Sequence, residues 1–292
     1  METPREFNGN INHKLEKLIF NNIECLKKTF DNSEEKQAKL KREICFYKYC
    51  EKKSLINVPR LFYFDENSIL IQFIKGIQLE QIDLNNIHYF TDFINGLNFH
   101  NNEKKIDYAF RGGESVLTKN GLLQNLKIRA LNLPQSRLYH PKKFDSIVNK
   151  HLNLFSLEKI NVGKIIVSPS DFGLHNFILN EKSPYFFDFE YSGTDSVLKC
   201  ILDFVLHPAN KIEFDDLDLY INNFINSLGV DDFKISKYTI NIFCIWWIMR
   251  LLNSITNKSI DARIANGLIL EHEKHEFIES RISNIQKFYK YI

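Results

Sequence analysis

The chain has 292 residues, 44% hydrophobic and 25% charged, which is ordinary for a globular protein and long enough for one large domain or two lobes with real cores. Its 38 basic and 36 acidic residues leave a formal charge of +2, a balance that calls for no nucleic acid, anionic membrane or polycationic partner. The five cysteines (Cys25, Cys45, Cys50, Cys200, Cys244) are odd in number and scattered, with no Cys-x-x-Cys pair. They read as reduced thiols of a cytoplasmic protein, not as a disulfide frame or zinc site. The start, Met1 to Glu6, is polar and has no apolar signal core, and the longest apolar run, Ile242 to Met249, is far short of the ~20 residues a spanning helix needs. No membrane association is therefore expected, and nothing sets an oligomeric state.

The first seventy-odd residues read as β-rich with one helix. Lys14–Phe20 and Ile23–Phe30 flank Asn21-Asn22, a dipeptide that tolerates the left-handed conformations of tight hairpins. A helix is expected from Asn32 or Ser33, with Glu34 and Glu35 in its first turn and Leu40, Ile44 and Tyr47 as its apolar stripe. Strands Val58–Phe64 and Ile69–Ile74 follow, around a turn at Asp65-Glu66-Asn67. Gly76 breaks the pattern. Beyond it Phe90, Phe93, Leu97 and His100 follow helical spacing, as do Leu122, Leu126 and Ala130, and helical patterns resume from about Asp215. Short strands at Ile165–Val167, Phe177–Leu179 and Tyr185–Phe189 interrupt them. The expected fold class is α+β and bilobal: a small β-rich lobe with one helix (residues 1–75), then a larger, mainly helical lobe (76–292) carrying an inserted β-hairpin.

One segment carries chemistry: Ser168-Pro169-Ser170-Asp171-Phe172-Gly173-Leu174-His175-Asn176. Asp171 and Asn176 stand five residues apart in a loop between two strands, and Asp188 lies at the end of the next strand. Phosphoryl transfer from ATP needs a carboxylate to orient the attacking hydroxyl and accept its proton, hard oxygen ligands for magnesium, and a lysine against the phosphates. The three residues fit the first two needs. Asp and Asn are common turn formers, but the combined spacing with flanking strands favours a site over three unrelated turns.

With these residues in place, the chain resembles the aminoglycoside phosphotransferase and choline kinase group of protein-kinase-like folds, from about Phe7 to Asn253. That family reads His-Gly-Asp, four residues, Asn, then Ile-Asp-Phe-Glu or similar. The resemblance implies that Asp171 is the catalytic base and that Asn176 and Asp188 are metal ligands. The chain departs from the pattern at Pro169-Ser170, where the family has His-Gly. The family's strand lysine, which pairs with a helix glutamate and reaches the ATP phosphates, maps to Lys27 with Glu43; Lys28, on the opposite face of the strand, is the second choice. Asn8-Gly9-Asn10-Ile11-Asn12 matches the family's phosphate-covering loop, so Gly9 and Asn10 are expected at the nucleotide. Gln72, Phe73 and Ile74 fall at the adenine-binding hinge. Asp203 corresponds to a carboxylate that braces the catalytic loop, the alternative being a solvent-facing helix residue.

Other features weigh less. Asp171-Phe172-Gly173 spells the metal-binding tripeptide of protein kinases, but residues 161–167 hold no Asp for a catalytic loop upstream. His272 and His275 are three apart, not the four of helical zinc proteases, and read as a solvated face. Trp246 and Trp247 suit either a wall for a cationic substrate or core packing, with packing preferred. The acidic stretch 213–218 reads as a charged helix start, and Arg129 is placed at the cleft by analogy. The expected activity is transfer of the γ-phosphate of ATP, with Mg2+, to a hydroxyl of a small molecule. The alternative is a nucleotide-binding pseudokinase. Protein kinase activity is disfavoured, because the chain lacks a His-Arg-Asp loop and an Ala-Pro-Glu segment.

Overall fold

The computed structural model describes residues 6–7, 13–98, 110–133, 138–155 and 160–292. Asn8 to Asn12, with Gly9 and Asn10, lie outside these, as does His100. Asn21 and Asn22 both adopt the left-handed conformation, with φ of 50° and 63°. That backbone closes a two-residue hairpin in the twist sense the strands require. Strands β1 (Glu6–Phe7), β2 (His13–Phe20), β3 (Ile23–Phe30), β4 (Leu61–Phe64) and β5 (Ser68–Gln72) form an antiparallel sheet in the order β1-β2-β3-β5-β4. The fourth strand is shorter than the expected Val58–Phe64: Pro59 has no amide to donate, and the ladder starts at Leu61. The fifth ends at Gln72, two residues before the expected Ile74.

Helix α1 (Glu34–Lys52) crosses this sheet. Leu40 and Tyr47 are buried on it, with Glu43 between them at 0% exposure. Ser33 stands at the cap position but makes no side-chain cap bond. The chain leaving the sheet is tied to the other lobe by paired hydrogen bonds of 2.9 Å each between Ile77 and Leu179. Gly76 is needed at this crossing, since a Cβ there would meet Ile178 Cγ2 at 2.3 Å and the Leu179 carbonyl oxygen at 2.5 Å. We expect Gly76→Ala to cost about 1–3 kcal/mol, seen as a lower urea midpoint at unchanged slope.

The second lobe holds α2 (Ile87–Asn98), α3 (Lys119–Leu131), α4 (Phe144–Phe155), α5 (Val197–Val205), α6 (Leu217–Ser227), α7 (Lys237–Ser254), α8 (Asn257–Ala265) and α9 (Lys274–Tyr291). Four short strands interrupt the helices: β6 (Ile165–Ser168), β7 (Phe177–Asn180), β8 (Ser183–Phe186) and β9 (Gly193–Ser196). The single hairpin expected from the sequence is two nested pairs, β7 with β8 inside β6 with β9. The strand expected over Tyr185–Phe189 stops at Phe186, because Asp188 adopts φ 64° and turns the chain out of the ladder.

Aromatic side chains knit these pieces together. Phe90 contacts Phe172, Phe177, Phe186 and Phe204 at centroid distances of 4.9–5.3 Å. Phe189 lies 4.3 Å from Phe46, 5.3 Å from Tyr47 and 6.3 Å from Phe93, so it bridges α1 and α2. Among the described residues no helix is long and apolar enough to cross a membrane.

Candidate active site

The loop after β6 is held from three sides. The Asn210 carboxamide, fully buried, accepts from the Leu174 amide at 2.8 Å and donates to the Phe172 and Phe204 carbonyls at 3.3 and 2.8 Å. Gln78 Nε2 donates to the Leu174 carbonyl at 2.9 Å. Asn176 Nδ2 donates to the Asp171 carbonyl at 3.0 Å, which closes the five-residue interval on itself. Phe172, inside the Asp-Phe-Gly string, is an anchor in the aromatic core at 3% exposure. Ser170 has φ 66°, and its amide donates to Ser168 Oγ at 3.1 Å. The glycine that the resemblance expects at this position would adopt that conformation without strain.

Asp171 faces two histidines that the sequence did not single out. His207 Nε2 lies 3.2 Å from one carboxylate oxygen and His175 Nε2 3.4 Å from the other. Because His207 Nδ1 accepts the Ala209 amide at 3.1 Å, its Nε2 carries the proton and donates to Asp171. Burial alone would raise the Asp171 carboxyl, but the hydrogen bonds from His175 and His207 outweigh it and hold the group well below the usual carboxylate range. Burial lowers His207, while Asp171 raises His175 against burial.

On the opposite wall a buried ion cluster joins the lobes. Lys28 Nζ donates to both Glu43 oxygens at 2.8 and 2.7 Å and to Asp188 Oδ1 at 2.8 Å. The pair expected between Lys27 and Glu43 is therefore formed by Lys28. Strand residues alternate faces, and it is Lys28, opposite Ile69, that turns under α1, while Lys27 is half-buried on the outer face. Burial disfavours the Lys28 charge, but Asp188 and Glu43 overcome it and push the ammonium above its usual value; burial also pushes Glu43 upward.

Between the walls lies a cleft of about 410 Å3 lined by Leu15, Leu26, Lys28, Ile71, Gln72, Phe73, Ile74, Asn176, Ile178, Phe187 and Asp188, with His175 and Arg263 at its edge. The expected residues Gln72, Phe73, Ile74, Asn176 and Asp188 are thus brought to one cavity. The Phe73 amide is already bonded to the Glu24 carbonyl at 2.9 Å.

A second cavity of about 310 Å3 is lined by Glu114, Asn125, Arg129, Asn132, Trp246 and Asn253, among others. Arg129 does face a cavity, pairing there with Glu114 and lying 5.1 Å from the Trp246 ring. Trp247 faces Arg250 at 4.6 Å and His207 at 4.8 Å. Both tryptophans are buried, so core packing accounts for them. A narrow crevice that shares Glu114 with this cavity is lined by Tyr191, Arg250, Ser170, Asp171, Lys199 and Asp203. Asp203 is buried, not solvent-facing. It pairs with Lys199, which also lies 3.4 Å from Asp195. Lys199→Met would strand two buried carboxylates, and we expect a loss of about 3–5 kcal/mol in chemical denaturation. His275 contacts Glu279 at 3.2 Å on the exposed side of α9.

No family model matches the chain, and no curated protein matches it by sequence. Solved structures do match. Spectinomycin phosphotransferase APH(9)-Ia, in complex with ADP and spectinomycin, superposes with a TM-score of 0.60 at 9% identity, over 100% of this chain and 93% of its own. The gentamicin complex of APH(2")-IIa gives 0.61 at 14%, over 98% and 91%. The choline kinase LicA from Streptococcus pneumoniae gives 0.60 at 12%, over 97% and 93%. The chain has the fold of the aminoglycoside phosphotransferases and choline kinases. At these identities the likeness is one of fold, and the residues above must carry any functional reading themselves.

Proposed function

We propose that this chain is an ATP- and magnesium-dependent phosphotransferase that moves the γ-phosphate to a hydroxyl of a small molecule in the cytoplasm. The observation that carries the reading is Lys28 Nζ bonded at once to Glu43 and to Asp188, in the wall of a cleft that also presents Asn176 and the 72–74 segment. With the lobe break at residues 75–76, a nucleotide base enters between Leu15, Leu26 and Ile178. Because the Phe73 amide is engaged, the Ile74 amide is the hinge donor. Lys28 sets its charge against the phosphates.

The donor set fits magnesium. Asn176 spends its amide nitrogen on the Asp171 carbonyl, so Oδ1 is the atom left to ligate, and Asp188 adds a carboxylate. Magnesium bound there would withdraw charge from the phosphates. Asp171, kept ionised by His175 and His207, orients the acceptor hydroxyl and takes its proton. Positioning and charge stabilisation supply the rate.

The test is ATP turnover with sugars, amino alcohols and aminoglycosides, with and without chelator. Full activity in Asp171→Ala and Asp188→Ala would sink the assignment. Ser170, held left-handed beside Asp171, favours a second reading, a nucleotide-binding module without transfer. Magnesium-dependent ATP binding with no phosphate reaching any acceptor would establish it.

A further inference from the structure

Two arginines that share the Phe277 ring, one of them in the wall of the nucleotide cleft, lack a counter-charge among the described residues. Arg263 of α8 lines the cleft, and its Cζ lies 5.1 Å from the Phe277 ring centroid; Arg281, one turn beyond Phe277 on α9, places its Cζ 4.8 Å from the same ring. Among the described residues neither guanidinium has a hydrogen bond or ion pair, and the Nε of each is buried without a partner. Three acids of the same segment are engaged with other groups: Glu271 with Lys274 at 3.7 Å, Glu273 with the Leu270 amide at 2.8 Å, and Glu279 with His275 at 3.2 Å. Burial disfavours both charges, and Arg263 disfavours that of Arg281 further.

Like charges held together and half-buried without an anion are costly, and a guanidinium fork suits the oxygens of a phosphate or carboxylate. We infer that Arg263 and Arg281 form an oxyanion-binding site at the wall of the cleft that also carries His175 and Asp188, taking either the terminal phosphate of the bound nucleotide or an acidic group on the hydroxyl acceptor. The site rests on the phosphotransferase reading.

Calorimetric titration of Mg-ATP, Mg-ADP and inorganic tripolyphosphate into wild type, Arg263→Gln and Arg281→Gln, beside turnover of hydroxy acids, sugar phosphates and amino alcohols, tests the site and its source. If the nucleotide supplies the anion, ATP and tripolyphosphate weaken about tenfold or more while ADP holds. If the acceptor supplies it, both nucleotides hold and KM for the hydroxy acids or sugar phosphates rises about tenfold, with amino alcohols unchanged. Variants matching wild type for every ligand overturn the site.

Phenylglyoxal modification of the wild-type chain, mapped by mass spectrometry, gives a reading that needs no variant. ATP, tripolyphosphate or a hydroxy acid should shield Arg263 and Arg281, and equal modification with and without all three overturns the proposal. A chain that binds no nucleotide, yet shields both arginines with tripolyphosphate, would remove the phosphotransferase reading and leave the site standing.

Discussion

Replacing Asp171 by asparagine is expected to lower turnover by about 10^2 to 10^4-fold while leaving Mg-ATP affinity within a factor of about two. Asparagine keeps the shape and can still contact His175 and His207, but it cannot accept the proton of an attacking hydroxyl. Steady-state rates beside a nucleotide titration separate the two quantities. Nucleotide affinity that fell together with the rate would mean that Asp171 acts through the loop and not on the acceptor. Stability should change little, since Asn176, Asn210 and Gln78 hold the loop through its backbone.

The second large effect belongs to Lys28. Lys28→Met removes the cation that bridges Glu43, at 0% exposure, and Asp188. Loss of one partner from a buried ion pair costs about 3–5 kcal/mol, so the variant should be both inactive and destabilised. Lys27→Met, on the outer face, should be silent in both respects. The double variant Lys28→Met with Glu43→Leu distinguishes the roles: most of the stability should return, because the fully buried carboxylate is gone and Asp188 keeps some contact with solvent, and activity should not. Recovery of activity in the double variant would remove Lys28 from the phosphate site.

These two residues show how far the sequence could be read. Asp171, Asn176 and Asp188 were legible because their spacing is local and the strands around them are short and regular. The hairpin at Asn21-Asn22 was legible because two left-handed residues in a row admit few side chains. The choice between Lys27 and Lys28 was not, since alternation says only that they face opposite ways, and the face under α1 is set by pairing with Ile69 on a strand forty residues on. Strand β9, Gly-Thr-Asp-Ser, has no apolar alternation and is defined only by its partner β6. His207 comes from the turn after α5, and Arg250, Arg263 and Arg281 arrive from helices whose own patterns speak of packing. Asp203 was legible as a carboxylate in an apolar helix, but its pairing with Lys199 depends on both being buried by the surrounding helices, which α5 alone does not show. The local backbone at Asp188 was not legible: the ladder stops at Phe186, three positions before the expected Phe189, and Asp188 itself is left-handed.

Phe189 has a thermodynamic consequence. It follows Asp188 directly and is clasped by Phe46 and Tyr47 on one side and Phe93 on the other. A sheet and helix joined to the rest only at a hinge could melt alone, as a separate unit of low opening free energy. Here such melting would uncover an aromatic ring that both halves share, so the sheet end and the helical end should lose structure in one transition. Native-state hydrogen exchange would show this as amides of α1 and α2 merging on a common denaturant slope. In Phe189→Ala the two sets should part, with α1 opening first.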